Sequence, residues 1–194
     1  MFGLLSVGGL VSVVAGATLG GSAQYVLWGL AIALDLIAAG VGGRLEGWNL
    51  HPDHFVERHG LIVIIALGET LIVAASGLVE AAMTPAATIT AILSVLVTAG
   101  LWWGYFRHAR PAFEHALAAS DGSARSSLAR DVFSFLHFPM LCGIIGMAAA
   151  TEQALAHPDA PLAGDVRAAL GGGVVLFITG SALAIRRATG KWPI

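Results

Sequence analysis

Six apolar runs, each close to the length of a membrane-spanning helix, constrain the fold of this chain most strongly. A helix needs about 20 residues to cross a hydrocarbon core of roughly 30 Å. Only 11% of the 194 residues are charged, whereas a soluble domain usually carries about 25%. The sequence therefore predicts an all-α, polytopic transmembrane helix bundle that forms a single domain over residues 1–194. The predicted spans cover about 2–19, 22–42, 60–80, 86–106, 132–150 and 167–185.

The basic residues predict how the bundle is oriented. Nine of the ten Lys and Arg residues fall in connections on one side, and only Arg167 falls on the other. Because cytoplasmic loops carry an excess of Lys and Arg, the basic side is predicted to face the cytoplasm. Both termini would then be cytoplasmic, which agrees with an even number of spans.

Composition and motifs also limit which partners and cofactors the sequence predicts. The net charge of −2 and the lack of a concentrated basic face argue against nucleic-acid binding. Cys142 is the only cysteine, so neither an intrachain disulfide nor a thiolate metal cluster is predicted. No Gly-Lys-Ser/Thr follows Gly171-Gly172-Gly173, so these glycines do not form a phosphate-binding loop. The sequence predicts the lipid bilayer as a partner and no cofactor.

Three ionisable residues interrupt the apolar runs and predict an intramembrane polar site. Asp35, Glu69 and His137 lie in the second, third and fifth predicted spans. A charged group at mid-membrane costs at least about 2.5 kcal/mol on insertion scales, so such residues usually face a partner, a water-filled path or a proton route. At ~1.5 Å per residue the three reach broadly similar depths in the cytoplasmic half. We expect spans two, three and five to be neighbours, with these side chains turned inward.

A simpler interpretation of the same residues stays open. Each of the three could be a hydrogen-bonded contact that holds two helices together without carrying out any chemistry. Pro139 lies two residues after His137 and cannot donate to the carbonyl of Phe135, so a helix distortion is expected there. Similarly, small residues such as Gly143 and Gly146 predict close helix packing.

The connection before the third span is rich in residues that bind metals or protons. It contains His51, Asp53, His54, Glu57, Arg58 and His59. No His-Glu-x-x-His or other standard zinc spacing is present, so neither a metal site nor a catalytic residue is assigned. Asp53 and Glu57 instead suit the positive N-terminus of a helix. We interpret His54, Glu57, Arg58 and His59 as the cytoplasmic mouth of the polar site.

The segment from His54 to Glu69 resembles the signature of the bacterial low temperature requirement protein A (LtrA) family, approximately H-F-x-E-R-x-G-L-x-x-I-I-x-L-G-E. Leu101 to Phe106 and His137-Phe138-Pro139 also look like family features, and the likeness runs from about residue 22 to the C-terminus. Carried over by position, the motif residues are His54, Glu57, Arg58, Gly60, Gly68, Glu69, His137 and Pro139. The resemblance implies an integral protein of the bacterial inner (cell) membrane.

Two features depart from the family pattern. Arg107 stands where an acidic residue commonly follows the aromatic motif. Family members are usually about twice as long, and their N-terminal half carries an E-L-F-F-D-L-V-F-like motif that this sequence lacks. The chain is therefore expected to correspond to the C-terminal half, as a truncated reading frame or as one partner of a split protein.

Transport is the function that the sequence favours. We expect a multi-pass membrane protein that moves a proton, a small ion or a small solute past Asp35, Glu69 and His137. One alternative is an intramembrane or interfacial enzyme that uses the region from His51 to His59, although the sequence favours a protein that is not an enzyme. Another is a structural half-bundle that requires a partner, either a second copy or a separate N-terminal half.

Overall fold

The computed structural model describes residues 2–42, 50–81 and 83–193, and all regular structure in these ranges is helical. Two of its helices contain a widened, π-helical segment, Tyr105–Ala109 in one and Arg130–Leu136 in the other. The predicted all-α fold is therefore confirmed. The described helices are α1 (Phe2–Leu19), α2 (Gly21–Gly42), α3 (Pro52–Glu80), α4 (Pro85–Ala118), α5 (Gly122–Ala156) and α6 (Gly164–Thr189).

Five of these helices, α2 to α6, are long and apolar enough to cross a membrane, whereas α1 is a shorter apolar helix. This confirms a helical membrane bundle, and a crossing by α1 stays a prediction. The helices extend beyond the predicted spans at the basic end. In particular, α4 and α5 contain 34 and 35 residues, about 50 Å each at ~1.5 Å per residue, so both protrude from a core of roughly 30 Å. Residues 107–118 and 122–131 were expected to be a connection and are largely helical.

A proline follows each π-helical segment within three residues. Pro111 follows Tyr105–Ala109, and Pro139 follows Arg130–Leu136. Proline lacks an N–H and its ring collides with the carbonyl four residues earlier, so a regular α-helical turn cannot form there. A wider turn relieves both problems while the helix continues. The expected distortion near His137 therefore takes the form of a π-helical segment.

Helix α5 lies at the centre of the bundle. Of the 18 most apolar consecutive residues of α5, 44% are buried, whereas the share in the other four long helices is 17–22%. It packs against α6 at Gly143 and Gly173, where a Cβ on either glycine would collide with the carbonyl oxygen of the other. The predicted role of Gly143 in close helix packing agrees with this contact.

Helices α1 and α2 form a hairpin that packs mainly on itself. The indole Nε1 of Trp28 donates to the carbonyl of Val13 at 3.2 Å, and Gly16 leaves the space that the Trp28 ring occupies. On the other side, α2 approaches α5 near Gly40, where an added Cβ would lie 3.5 Å from Phe135. The hairpin is thus attached to the remaining helices through the end of α2 that precedes the connection to α3.

The basic ends of α3 to α6 meet at one end of the bundle. Arg130 and Arg187 both pair with Asp131, at 2.6 Å from Nη2 and 2.9 Å from Nε respectively, which ties α5 to α6. The same end holds Arg110 of α4, whose Cδ lies near Gly60 of α3. The charge asymmetry read from the sequence therefore corresponds to one physical end of these four helices. Arg44 lies outside the described residues.

Candidate functional site

The structure places the three predicted site residues in different environments. His137 is buried in α5, with 2% of its surface exposed. Asp35 and Glu69 are exposed on the outer surface of the bundle, on α2 and α3. No hydrogen bond or ion pair joins any two of them within the described chain. That Asp35, Glu69 and His137 form one intramembrane site stays a prediction.

His137 lies at a different depth along its helix from Glu69 and Asp35. Measured at ~1.5 Å per residue from the end of each helix away from the basic side, His137 lies about 29 Å in and Glu69 about 17 Å. Asp35, on the same scale, lies about 21 Å in. Asp35 also faces α1, because its Oδ1 would lie 3.2 Å from a Cβ added to Gly9. Asp35 and Trp28 of α2 therefore both approach α1, although both side chains remain exposed.

His137 forms a buried hydrogen-bonded pair with Tyr105 of α4. The Tyr105 hydroxyl lies 2.8 Å from His137 Nε2, and His137 Nδ1 lies 2.8 Å from the carbonyl oxygen of Val132. A carbonyl oxygen can only accept, so Nδ1 carries the hydrogen. In the neutral ring Nε2 is then an acceptor, and Tyr105 donates its hydroxyl hydrogen to it. Tyr105 is completely buried, so each side chain satisfies a polar group of the other.

The π-helical segments create this geometry. The backbone N–H groups of Arg110 and His137 donate to the carbonyls of Tyr105 and Val132, each five residues earlier. In a turn of this width residues five apart lie above one another, so the imidazole of His137 also reaches the Val132 carbonyl. Thus the two prolines that widen the helices place Tyr105 and His137 where they meet.

Aromatic rings surround the pair on the side of α3. The ring of Phe133 stacks on His137 with centroids 4.9 Å apart, and His59 lies 4.7 Å from Phe133 and 5.9 Å from His137. Phe113 contacts His137 at 5.8 Å and is fully buried. We call Tyr105, His137, His59, Phe133 and Phe113 the Tyr–His cluster. It brings two imidazoles and one phenol from three helices into contact at the basic end of the bundle.

His59 completes the polar part of the Tyr–His cluster. Its Nδ1 donates to the Phe55 carbonyl at 2.8 Å, which leaves Nε2 as an acceptor in the neutral ring. A cavity of about 190 Å³ is bordered by His59, Ser134, His137 and Leu141. A single water needs roughly 10–15 Å³ of such space, so this cavity has room for several waters next to both imidazoles.

The remaining residues of the predicted mouth lie at the start of α3 and are solvent-accessible. His54, Glu57 and Arg58 are exposed, with His54 Nδ1 3.7 Å from Glu57 Oε2. The rings of His51 and His54 lie 5.2 Å apart. No group of three His, Cys, Asp or Glu side chains within the described ranges is arranged to hold a metal ion. Only His59 of this set turns into the bundle.

Sequence reasoning missed Tyr105 and Phe113. Tyr105 lies in the run from Leu101 to Phe106, which stood out in the sequence only as a family-like feature. Trp102 and Trp103 are exposed, at 44% and 58%, but Tyr105 points inward. The signal that could have identified it is Pro111, six residues later, because a proline inside a continuing helix indicates a widened turn.

The arrangement can hold and exchange a proton. Imidazole and phenol groups in hydrogen-bond contact can pass a proton between Nε2 and the hydroxyl oxygen. The Val132 carbonyl cannot take a proton from Nδ1, so any proton that His137 gains or loses moves through Nε2. Proton exchange at His137 would therefore involve the nitrogen to which Tyr105 already donates its hydroxyl hydrogen.

Sequence similarity relates this chain to a bacterial protein and to one protein family. The chain is 29% identical over 166 residues to a protein of Rhizobium meliloti (strain 1021) named Uncharacterized protein RA0937, covering 81% of this chain and 40% of that relative. The chain thus spans less than half the length of this curated relative. No solved structure matches it. The family model described as bacterial low temperature requirement A protein (LtrA) matches residues 1–194, including α1. This membrane protein therefore belongs to the LtrA family.

Proposed function

We propose that this protein moves a proton, alone or together with a small ion or solute, across the bacterial inner membrane. The observation that supports this proposal most directly is the buried pair of Tyr105 and His137, with His59 and a cavity beside it. Ionisable groups inside a membrane bundle commonly mark ion pathways and proton relays.

The Tyr–His cluster would serve as the cytoplasmic end of the pathway. At about 30 Å from the opposite ends of their helices, Tyr105, His137 and His59 would lie close to the basic boundary of the hydrocarbon core, which the positive-inside rule favours as the cytoplasmic one. His54, Glu57 and Arg58 would attract or orient the solute at the mouth. Asp35 and Glu69 would contribute deeper in the membrane, which requires contacts beyond those of a single copy.

Proton flux into liposomes tests the proposal. The purified chain would be reconstituted around a trapped pH-sensitive dye, and a potassium diffusion potential would drive protons inward. We expect flux above that of empty liposomes, reduced at least tenfold in His137→Gln and Tyr105→Phe. Tyr25→Phe is the matched control, because Tyr25 is 74% exposed on α2 and has no described hydrogen bond.

Two results would contradict the proposal. Flux equal to that of empty liposomes would show that this chain does not move protons on its own. Undiminished flux in both His137→Gln and Tyr105→Phe would show that protons move elsewhere in the molecule. Melting temperatures measured on the same samples separate loss of the relay from loss of the fold.

A further inference from the structure

Glu69 lies on an outward-facing stripe along α3 that no described part of the chain covers. Ile65 and Ile72, which flank Glu69 on this stripe, are 72% and 64% exposed. Members of the stripe recur every three or four residues, so they share one side of the helix. We call this surface the Glu69 stripe, and its residues are Ile62, Ile65, Glu69, Ile72, Ser76 and Val79.

The opposite side of α3 provides the packing contacts within the chain. Val63 and Thr70 are completely buried there, and Gly77 lies against Leu155 of α5. Glu69 makes no hydrogen bond or ion pair with any residue that the structure describes. In a single copy its carboxyl group would therefore lie among lipid tails near mid-membrane, where every polar group needs a partner.

We infer that the Glu69 stripe is the contact surface between two copies of this chain in the membrane, with the two Glu69 carboxyl groups hydrogen-bonded to each other. A protonated carboxyl group has one donor and a free acceptor, so it is complementary to a second copy of itself. A partner of different sequence would need a suitable polar residue at the same depth, whereas a second copy in the same orientation provides one automatically.

The geometry of the stripe suits a parallel two-fold pair. A two-fold axis along the membrane normal keeps each residue at the depth of its counterpart, so the same patch meets itself on both copies. From Ile62 to Val79 the stripe is about 26 Å long at ~1.5 Å per residue, which is most of the hydrocarbon core. Van der Waals packing along such a length and an interhelical hydrogen bond near its middle are two of the interactions that drive the association of membrane helices.

Cysteine cross-linking in membranes tests the inference. Cys142 is the only native cysteine and would first be replaced by serine. In that background Ile65→Cys places a thiol on the stripe, and an oxidant should give a disulfide-linked product of twice the chain mass. Ile178→Cys is the matched control, because Ile178 is 54% exposed on α6 at a similar depth and should stay mostly monomeric.

Substitutions of Glu69 then test the carboxyl contact. Glu69→Leu removes the hydrogen bonds and should reduce Ile65→Cys cross-linking about tenfold at equal protein density. Glu69→Gln should retain it, because a side-chain amide also both donates and accepts.

Three outcomes would overturn the inference. Cross-linking of Ile65→Cys no greater than that of Ile178→Cys would show that the stripe is not an interface between copies. A product of any other mass would show that a different protein covers it. Full cross-linking in Glu69→Leu would show that the carboxyl group does not hold the pair together.

Discussion

At the scale of single residues, the contact between Tyr105 and His137 is the feature with the clearest energetic consequence. Removing the Tyr105 hydroxyl leaves Nε2 of a buried imidazole without a donor. We expect Tyr105→Phe to lower the free energy of unfolding by about 1–3 kcal/mol, the cost of an unsatisfied buried polar group. Tyr25→Phe removes the same atom from an exposed position and should change it by less than about 0.5 kcal/mol. Denaturant unfolding in detergent micelles measures both, and equal effects would contradict the importance of the buried pair.

The residues of the Tyr–His cluster also mark where sequence reasoning reaches its limit. His137 was identified because an ionisable residue in an apolar run is detectable from hydropathy alone. Tyr105 was not, because an aromatic near the end of a span is equally compatible with the headgroup region. The depth of Glu69 was predictable, but the side of the bundle that it faces depends on which neighbours α3 packs against. Those neighbours are set by contacts between residues far apart in the sequence.

At the scale of whole helices, the contact between α5 and α6 is closest where Gly143 meets Gly173. Gly173 has the Gly143 carbonyl where its Cβ would be, whereas a Cβ on Gly172 would meet nothing within 4 Å. Gly173→Ala should therefore force the helices apart and lower stability by about 1–3 kcal/mol. Gly172→Ala should be neutral or slightly stabilising, because alanine is the better helix former. Melting temperatures of the two variants in the same detergent test this prediction. A smaller decrease in melting temperature for Gly173→Ala than for Gly172→Ala would contradict the close packing.

Helix ends were less predictable than helix cores. Hydropathy detects only the part of a helix that crosses lipid, so it missed the polar extensions such as 107–118 of α4 and 122–131 of α5. The turn between these helices is short, and Arg125 binds both the Ser120 carbonyl and Asp121 there. By contrast, α4 begins at Pro85 with Thr84 accepting from the Ala87 N–H, which is a helix start that adjacent residues alone specify. Local capping chemistry is readable from a few adjacent residues, whereas helix extension depends on tertiary support.

At the scale of the whole molecule, charge distribution and helix packing make one prediction about orientation. The turn at 119–121 and the C-terminus lie at the basic end, and the 157–163 connection lies at the other. Since basic loops remain cytoplasmic, reporters fused at the turn and after the last residue should read cytoplasmic, and a reporter within 157–163 should read the opposite side.

A reporter at the N-terminus then determines whether α1 crosses. A cytoplasmic reading there means six crossings and an external reading means five. Identical readings at the C-terminus and within 157–163 would mean that α6 does not span the membrane. The Tyr–His cluster could then not be assigned to the cytoplasmic boundary, because the reading that orients α6 also orients α5, which packs against it.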